Sequence, residues 1–153
     1  MKKVNLSWLY IFLPVLVLVS LFVVFSSKSA SAVAGHLVIS EVQIARSGTG
    51  NSADEFIELY NPTESAIDLS NWKLTKKPRL AGQEDNLIST ISGTLSPHGY
   101  FLIASSDYSG SVSADQTYPA DEITLSTNNT VLIYDENGIL IDKVGMGTAV
   151  DNE

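Results

Sequence analysis

Four carboxylates, Glu41, Asp54, Glu55 and Glu58, come nearest to a chemical site by type and spacing. Glu41 lies in the run LVISEVQIA and the other three lie in DEFIELY. If the two runs pair as a hairpin, Glu41 and Glu58 share a face and stand nearly opposite. Like charges so placed cost about 0.2–1 kcal/mol unless a cation intervenes. Oxygen ligands of this kind suit Ca²⁺, so the four form a candidate metal site. The plain alternative is that both glutamates are solvated on the polar face of a strand. The loop between the runs, RSGTGNSAD, has no EF-hand pattern.

Two further groups are candidates for binding. Lys73, Lys76, Lys77 and Arg79 make the one dense basic patch, the last three within a turn-rich excursion from Lys76 to Asp85. Lys76, Lys77 and Arg79 would dock an anionic polymer or an acidic protein face, or else be a solvated loop. Tyr108 and Tyr118 lie in a Ser/Asp/Gly-rich stretch from Ser105 to Asp121. They offer an adaptable contact surface, or pack against the edge of the domain.

Catalytic signals are poor, and no catalytic residue is assigned. The two histidines are His36, after a short linker, and His98, in a Pro-Gly turn, with nothing nearby in sequence to pair with either. Nucleophile elbow, zinc helix, P-loop and dinucleotide fingerprint are all missing. Asn128-Asn129-Thr130 is a formal glycosylation sequon, whereas Asn61-Pro62-Thr63 is ruled out by its proline.

The elements that position these residues are strands. In EFIELY, Ile57 and Leu59 fall on one face, and Phe56, Glu58 and Tyr60 on the other. Asn61-Pro62 stops that strand, because proline has no N–H to donate. Ile67, Leu69, Trp72 and Leu74 then start an antiparallel second strand, broken at Ser70-Asn71 by a bend that re-aims Trp72 inward. In LVISEVQIA, Val38, Val42 and Ile44 are expected inward, and Ile39, Glu41 and Gln43 outward. LISTISGTL alternates loosely, with Leu87, Ile88, Ile91 and Leu95 apolar, and Ser96-Pro97-His98-Gly99 is a turn with a positive φ at glycine. YFLIA is a short, central apolar strand and EITLS another. TVLIYDENGILIDKV is a hairpin whose Asn137-Gly138 accommodates a type I′ turn. No segment after the N-terminal apolar run has helical periodicity. Seven to nine short strands imply an all-β, two-sheet antiparallel sandwich.

The chain has 153 residues, room for one domain and a targeting segment. Lys2 and Lys3, an apolar run from Trp8 to Phe25, and Ala30-Ser31-Ala32 read as a secretory signal over 1–32, cut after Ala32. An uncleaved membrane anchor is the alternative. Residues 33–35 are a linker and 36–153 the domain, whose native chain continuing past Glu153 is an open alternative. There is no Cys, hence no disulfide framework. Cleavage leaves six basic against seventeen acidic residues, a net charge of −11, which disfavours nucleic acid and anionic lipid as partners.

DEFIELYNPTESAIDLSNWKL (Asp54 to Leu74) resembles the signature of the lamin tail domain, with Asn71 where glycine is common. SPHGYFLIA and the later hairpin fit that family's subsequent strands in order, so the resemblance covers about His36 to Gly147. It implies an immunoglobulin-like β-sandwich of a bacterial secreted or surface protein; from the strand faces and the hairpin turn, Ile57, Leu59, Trp72, Asn137 and Gly138 are expected to be structural. The expected function is a non-catalytic extracytoplasmic interaction or structural module, exported by the general secretory route. The expected partner is a protein or cell-envelope component, with membrane contact only through the N-terminal segment. No cofactor is expected, Ca²⁺ being the alternative. Two rival readings are an accessory domain of a larger secreted nuclease or phosphatase, and a Ca²⁺-dependent adhesion module.

Overall fold

The computed structural model describes residues 34–44, 54–80, 82–120 and 124–149. The expected signal segment and most of the RSGTGNSAD loop lie outside these. In chain order the strands are β1 (Val38–Gln43), β2 (Phe56–Tyr60), β3 (Ile67–Asp68), β4 (Lys73–Pro78), β5 (Asp85–Ile88), β6 (Thr94–Leu95), β7 (Tyr100–Ser105), β8 (Gln116–Tyr118), β9 (Asn129–Tyr134) and β10 (Leu140–Gly145). No helix occurs among the described residues. One four-stranded sheet has the order β1-β2-β7-β8 and the other β10-β9-β4-β5, with β3 and β6 forming a separate pair.

A single apolar core lies between the two large sheets. Ile39, Ile57, Leu59, Phe101 and Ile103 enter it from the first, and Leu74, Ile88, Val131 and Ile133 from the second, with Trp72 beside them. Fully burying each aliphatic chain contributes about 1.5–3 kcal/mol. An all-β immunoglobulin-like sandwich is therefore present, as expected. Its central strand YFLIA pairs with β2 on one side and β8 on the other.

Five local expectations are corrected. In β1 the register shifts between Ile39 and Glu41, so Ile39 pairs with Leu59 and Val42 with Ile57, both toward the core. The bulge at Ser40 reverses the inward parity partway along the strand, taking Ile39 inward where alternation placed it outward.

The second correction concerns the corner after β2. The strands flanking it do not pair: β2 belongs to one sheet and β4 to the other, while β3 pairs with β6. Buried Asn61 holds the crossing. Its Nδ2 donates to the carbonyls of Ser65 (2.7 Å), Leu95 (3.3 Å) and Ser96 (3.1 Å), and its Oδ1 accepts from Thr63 N and Oγ1. Trp72 then enters the core through a turn in which Trp72 N donates to Leu69 O and Asn71 takes φ 66°. That left-handed residue explains an Asn or Gly at this place.

Third, the positive φ of the Ser96–Gly99 turn sits on His98 (53°), not on Gly99. Fourth, the 135–139 turn is not type I′. Only Gly138 is left-handed, Gly138 N donates to Asp135 O, and Asp135 N to Ile139 O. This is a three-residue loop closed by one left-handed glycine. Fifth, EITLS is not a strand over its described part, 124–126. The outer strand is β8, inside the expected surface excursion, and it runs parallel to β7.

Candidate binding face

Alternation along β2 divides the acidic residues between two environments. Glu55 shares the inward parity of Ile57 and Leu59 and is fully buried. Its Oε2 accepts from Tyr118 Oη (3.0 Å) and Leu125 N (3.0 Å), and its main-chain carbonyl accepts from Ser105 N. Its Oε1 is buried with no hydrogen-bond partner. Burial raises the Tyr118 phenol well above its ordinary range, and the adjacent Glu55 carboxylate adds to the shift. Tyr118 is 1% exposed, so of its two expected uses it takes packing against the domain and not surface contact. The carboxylate it satisfies lies 63 positions away in the chain.

Glu58 and Glu41 are indeed cross-strand partners, on the outer face of the first sheet. No cation is needed to hold Glu58, because its Oε1 accepts from Ser40 Oγ at 2.7 Å, the bulge residue. Asp54 turns elsewhere, its Oδ1 accepting from Ser109 N (3.0 Å) and Oγ (2.8 Å). The four carboxylates proposed as a metal site therefore do not converge, since Glu55 faces the interior and Glu41 and Glu58 the outside. Among the described residues, no group of three or more His, Cys, Asp or Glu is placed to hold a metal ion.

The basic patch is also divided. Lys76 and Lys77 are rungs of β4, opposite Val131 and Thr130, rather than tips of a loop. Lys76 falls on the core side of the strand and its Nζ donates to Thr124 O at 2.5 Å. Lys73 Nζ lies 4.7 Å from the centre of the Tyr134 ring. Between them, Glu84 accepts from Thr75 Oγ1 and Tyr134 Oη. Of the patch, Arg79 alone is exposed. This outer face is occupied by its own contacts. His98 Nε2 lies 3.3 Å from Glu64 Oε1 on the surface, and Asn128 Oδ1 accepts from Thr148 Oγ1.

The first sheet's outer face is different. Phe56, Glu58 and Tyr60 alternate along β2, opposite Ala104, Leu102 and Tyr100 of β7. Tyr60 and Tyr100 stack with centroids 4.8 Å apart. At the other end, Phe56 meets Tyr108 edge-on, centroids 6.0 Å apart and planes at 77°. A cleft of about 660 Å³ opens there, lined by Gln43, Ile44, Asp54, Phe56, Tyr108, Ser109, Gly110 and Ser111.

Two features build the cleft. Asp54 is left-handed (φ 70°), a conformation that Asp, Asn and Gly take more readily than other residues. Asp54 O accepts from Gln43 Nε2 at 2.6 Å, Ser109 grips its carboxylate, and the next residue is the buried anchor Glu55. The Tyr108 hydroxyl occupies the space a side chain at 110 would need, so glycine there keeps the ring in place. The cleft's volume falls in the range of small-molecule sites, about 300–1,000 Å³. Its lining offers two aromatic rings, one amide, one carboxylate and three hydroxyls, one of them the Tyr108 phenol. Within it the Ser109 hydroxyl is committed to the Asp54 carboxylate at 2.8 Å. Sequence reasoning found Asp54 and Tyr108 here but not Gln43, Phe56 or Ser109. The available signal was the shared parity of Phe56, Glu58 and Tyr60.

No curated protein matches the chain. The model of the lamin tail domain, by contrast, matches residues 30–148, where the corner, the Trp72 turn and both sheets lie. The chain belongs to the lamin tail domain family.

Proposed function

We propose that this chain is a non-catalytic interaction module acting outside the cytoplasm, with the outer face of the β1-β2-β7-β8 sheet as its contact surface. The family is a generally non-catalytic immunoglobulin-like domain. The observation that carries the reading is the cleft of about 660 Å³ beside Phe56 and Tyr108 on that face, together with the exposed Tyr100 at its other end. Export rests on the positive, apolar and small-residue pattern of residues 1–32.

The test has two parts. The native protein is recovered from envelope and medium and its intact mass is measured. A mass fitting Val33 to Glu153 supports a free-standing module, while a larger one indicates a retained anchor or an attached domain that this one addresses. Purified full-length protein is then sedimented with envelope fractions. Tyr108→Ala is expected to reduce co-sedimentation, and an unchanged bound fraction overturns the assignment of this face.

A further inference from the structure

We propose that the outer face of the β1-β2-β7-β8 sheet binds a neutral, hydroxyl-rich saccharide chain. One end sits in the Phe56–Tyr108 cleft and the remainder runs along β2 to the Tyr60–Tyr100 pair. The inference rests on the module reading above and names its ligand class.

A pyranose ring has an apolar C–H face and a rim of hydroxyls that each donate and accept. The face carries matching parts in matching order. Phe56 and Tyr108 meet nearly at right angles and form an apolar corner in the cleft. Gln43, Asp54, Ser109 and Ser111 supply an amide, a carboxylate and hydroxyls around its rim. Phe56 and Tyr60 stand four positions apart on β2, about 13 Å at the rise of an extended strand. A few linked pyranose units span that distance. Glu58 lies between them, its carboxylate already oriented by Ser40. Fixed groups of this kind bind without a large ordering penalty.

Charge narrows the class. The four strands VISEVQ, FIELY, YFLIAS and QTY hold no Lys or Arg, while Glu41 and Glu58 face outward together. Uronic acid polymers, phosphate-bearing polymers and nucleic acids would meet like charge from the described strands there. A protein partner is less suited. Stable protein interfaces need an apolar, desolvated centre, yet Tyr100 is the one large exposed apolar side chain of the described residues on these strands.

The experiment is retention of the full chain on insoluble cellulose and chitin, with release by their soluble oligomers and with polygalacturonate as the anionic control. Binding to at least one neutral polymer and not to the anionic one is expected. Tyr100→Ala and Tyr108→Ala should each weaken retention about tenfold, the effect of losing one anchor contact. Gly110→Ala should do the same by displacing Tyr108, with no change to any ring. Thermal melting of each variant controls for folding, and Tyr100, 61% exposed, should leave it unmoved. The saccharide inference is overturned if no neutral polymer is retained, if the anionic one is preferred, or if both tyrosine variants bind as the parent does. Envelope co-sedimentation that still depends on Tyr108 in that case leaves the module reading standing with another ligand. A dimer in sedimentation velocity that Tyr100→Ala dissolves would show instead that the face joins two copies of the chain.

Discussion

The buried Glu55–Tyr118 contact makes a prediction that is quantitative in pH. Tyr118→Phe removes one hydroxyl and little volume, leaving the carboxylate with the Leu125 amide as its remaining donor. A buried hydrogen bond to a charged acceptor is worth about 1.5–3 kcal/mol, so the variant should be that much less stable at neutral pH. The difference should then shrink on the alkaline side. In the folded protein the phenol is raised well above its ordinary value by burial and by Glu55, whereas the unfolded phenol ionises near pH 10. A raised folded value means the stabilisation is complete below about pH 10 and is lost as the pH rises toward the folded value. Each unit above about pH 10 should remove about 1.4 kcal/mol from the parent that the phenylalanine variant, lacking the ionisation, does not lose. Denaturant unfolding of both proteins between about pH 8 and pH 12 should give curves that converge one to two units above about pH 10. Parallel curves, or a variant as stable as the parent at neutral pH, would refute the account.

Three further outcomes follow from the corner and the turns. Asn61→Asp puts an acceptor where three carbonyls now receive Nδ2, and should destabilise by about 3 kcal/mol or more in the same unfolding assay. Trp72→Ala should cost about 3–5 kcal/mol, and an unchanged melting temperature would contradict its core position. His98→Gly should stabilise by about 0.5–1 kcal/mol, because relief of the left-handed φ exceeds the added chain entropy; a loss of stability would show that the Glu64 contact matters more.

Much of the fold was legible because EFIELY alternates cleanly and proline, glycine and asparagine mark its corners. What escaped has physical causes. From Leu37 to Ile44 apolar residues occupy both parities, so nothing local distinguishes the two registers, and the Ser40 bulge that joins them depends on pairing with β2. Strand β8 is three residues of QTY with no apolar alternation, and it forms by parallel pairing with a strand already in place. Of the two uses open to Tyr118 the sequence could not choose, because its partner Glu55 is distant, although the parity of Glu55 with Ile57 and Leu59 pointed inward from the start. The lysines of β4 read as one patch in sequence, but strand geometry separates Lys76 from its neighbours.

At the margin of the first sheet, Asp142 of β10 reaches across to accept the main-chain N–H of Ile39 at 2.7 Å, beside the Ser40 bulge. β1 is an outermost strand, and its outward N–H groups are where a stray extended chain would attach. A carboxylate takes the place of that chain at one rung, and the bulge twists the next out of line. This edge of the sheet thus carries its own stopper against strand-to-strand pairing. In a chain without disulfides to lock it, this keeps neighbouring copies as separate molecules rather than as the beginning of a fibre.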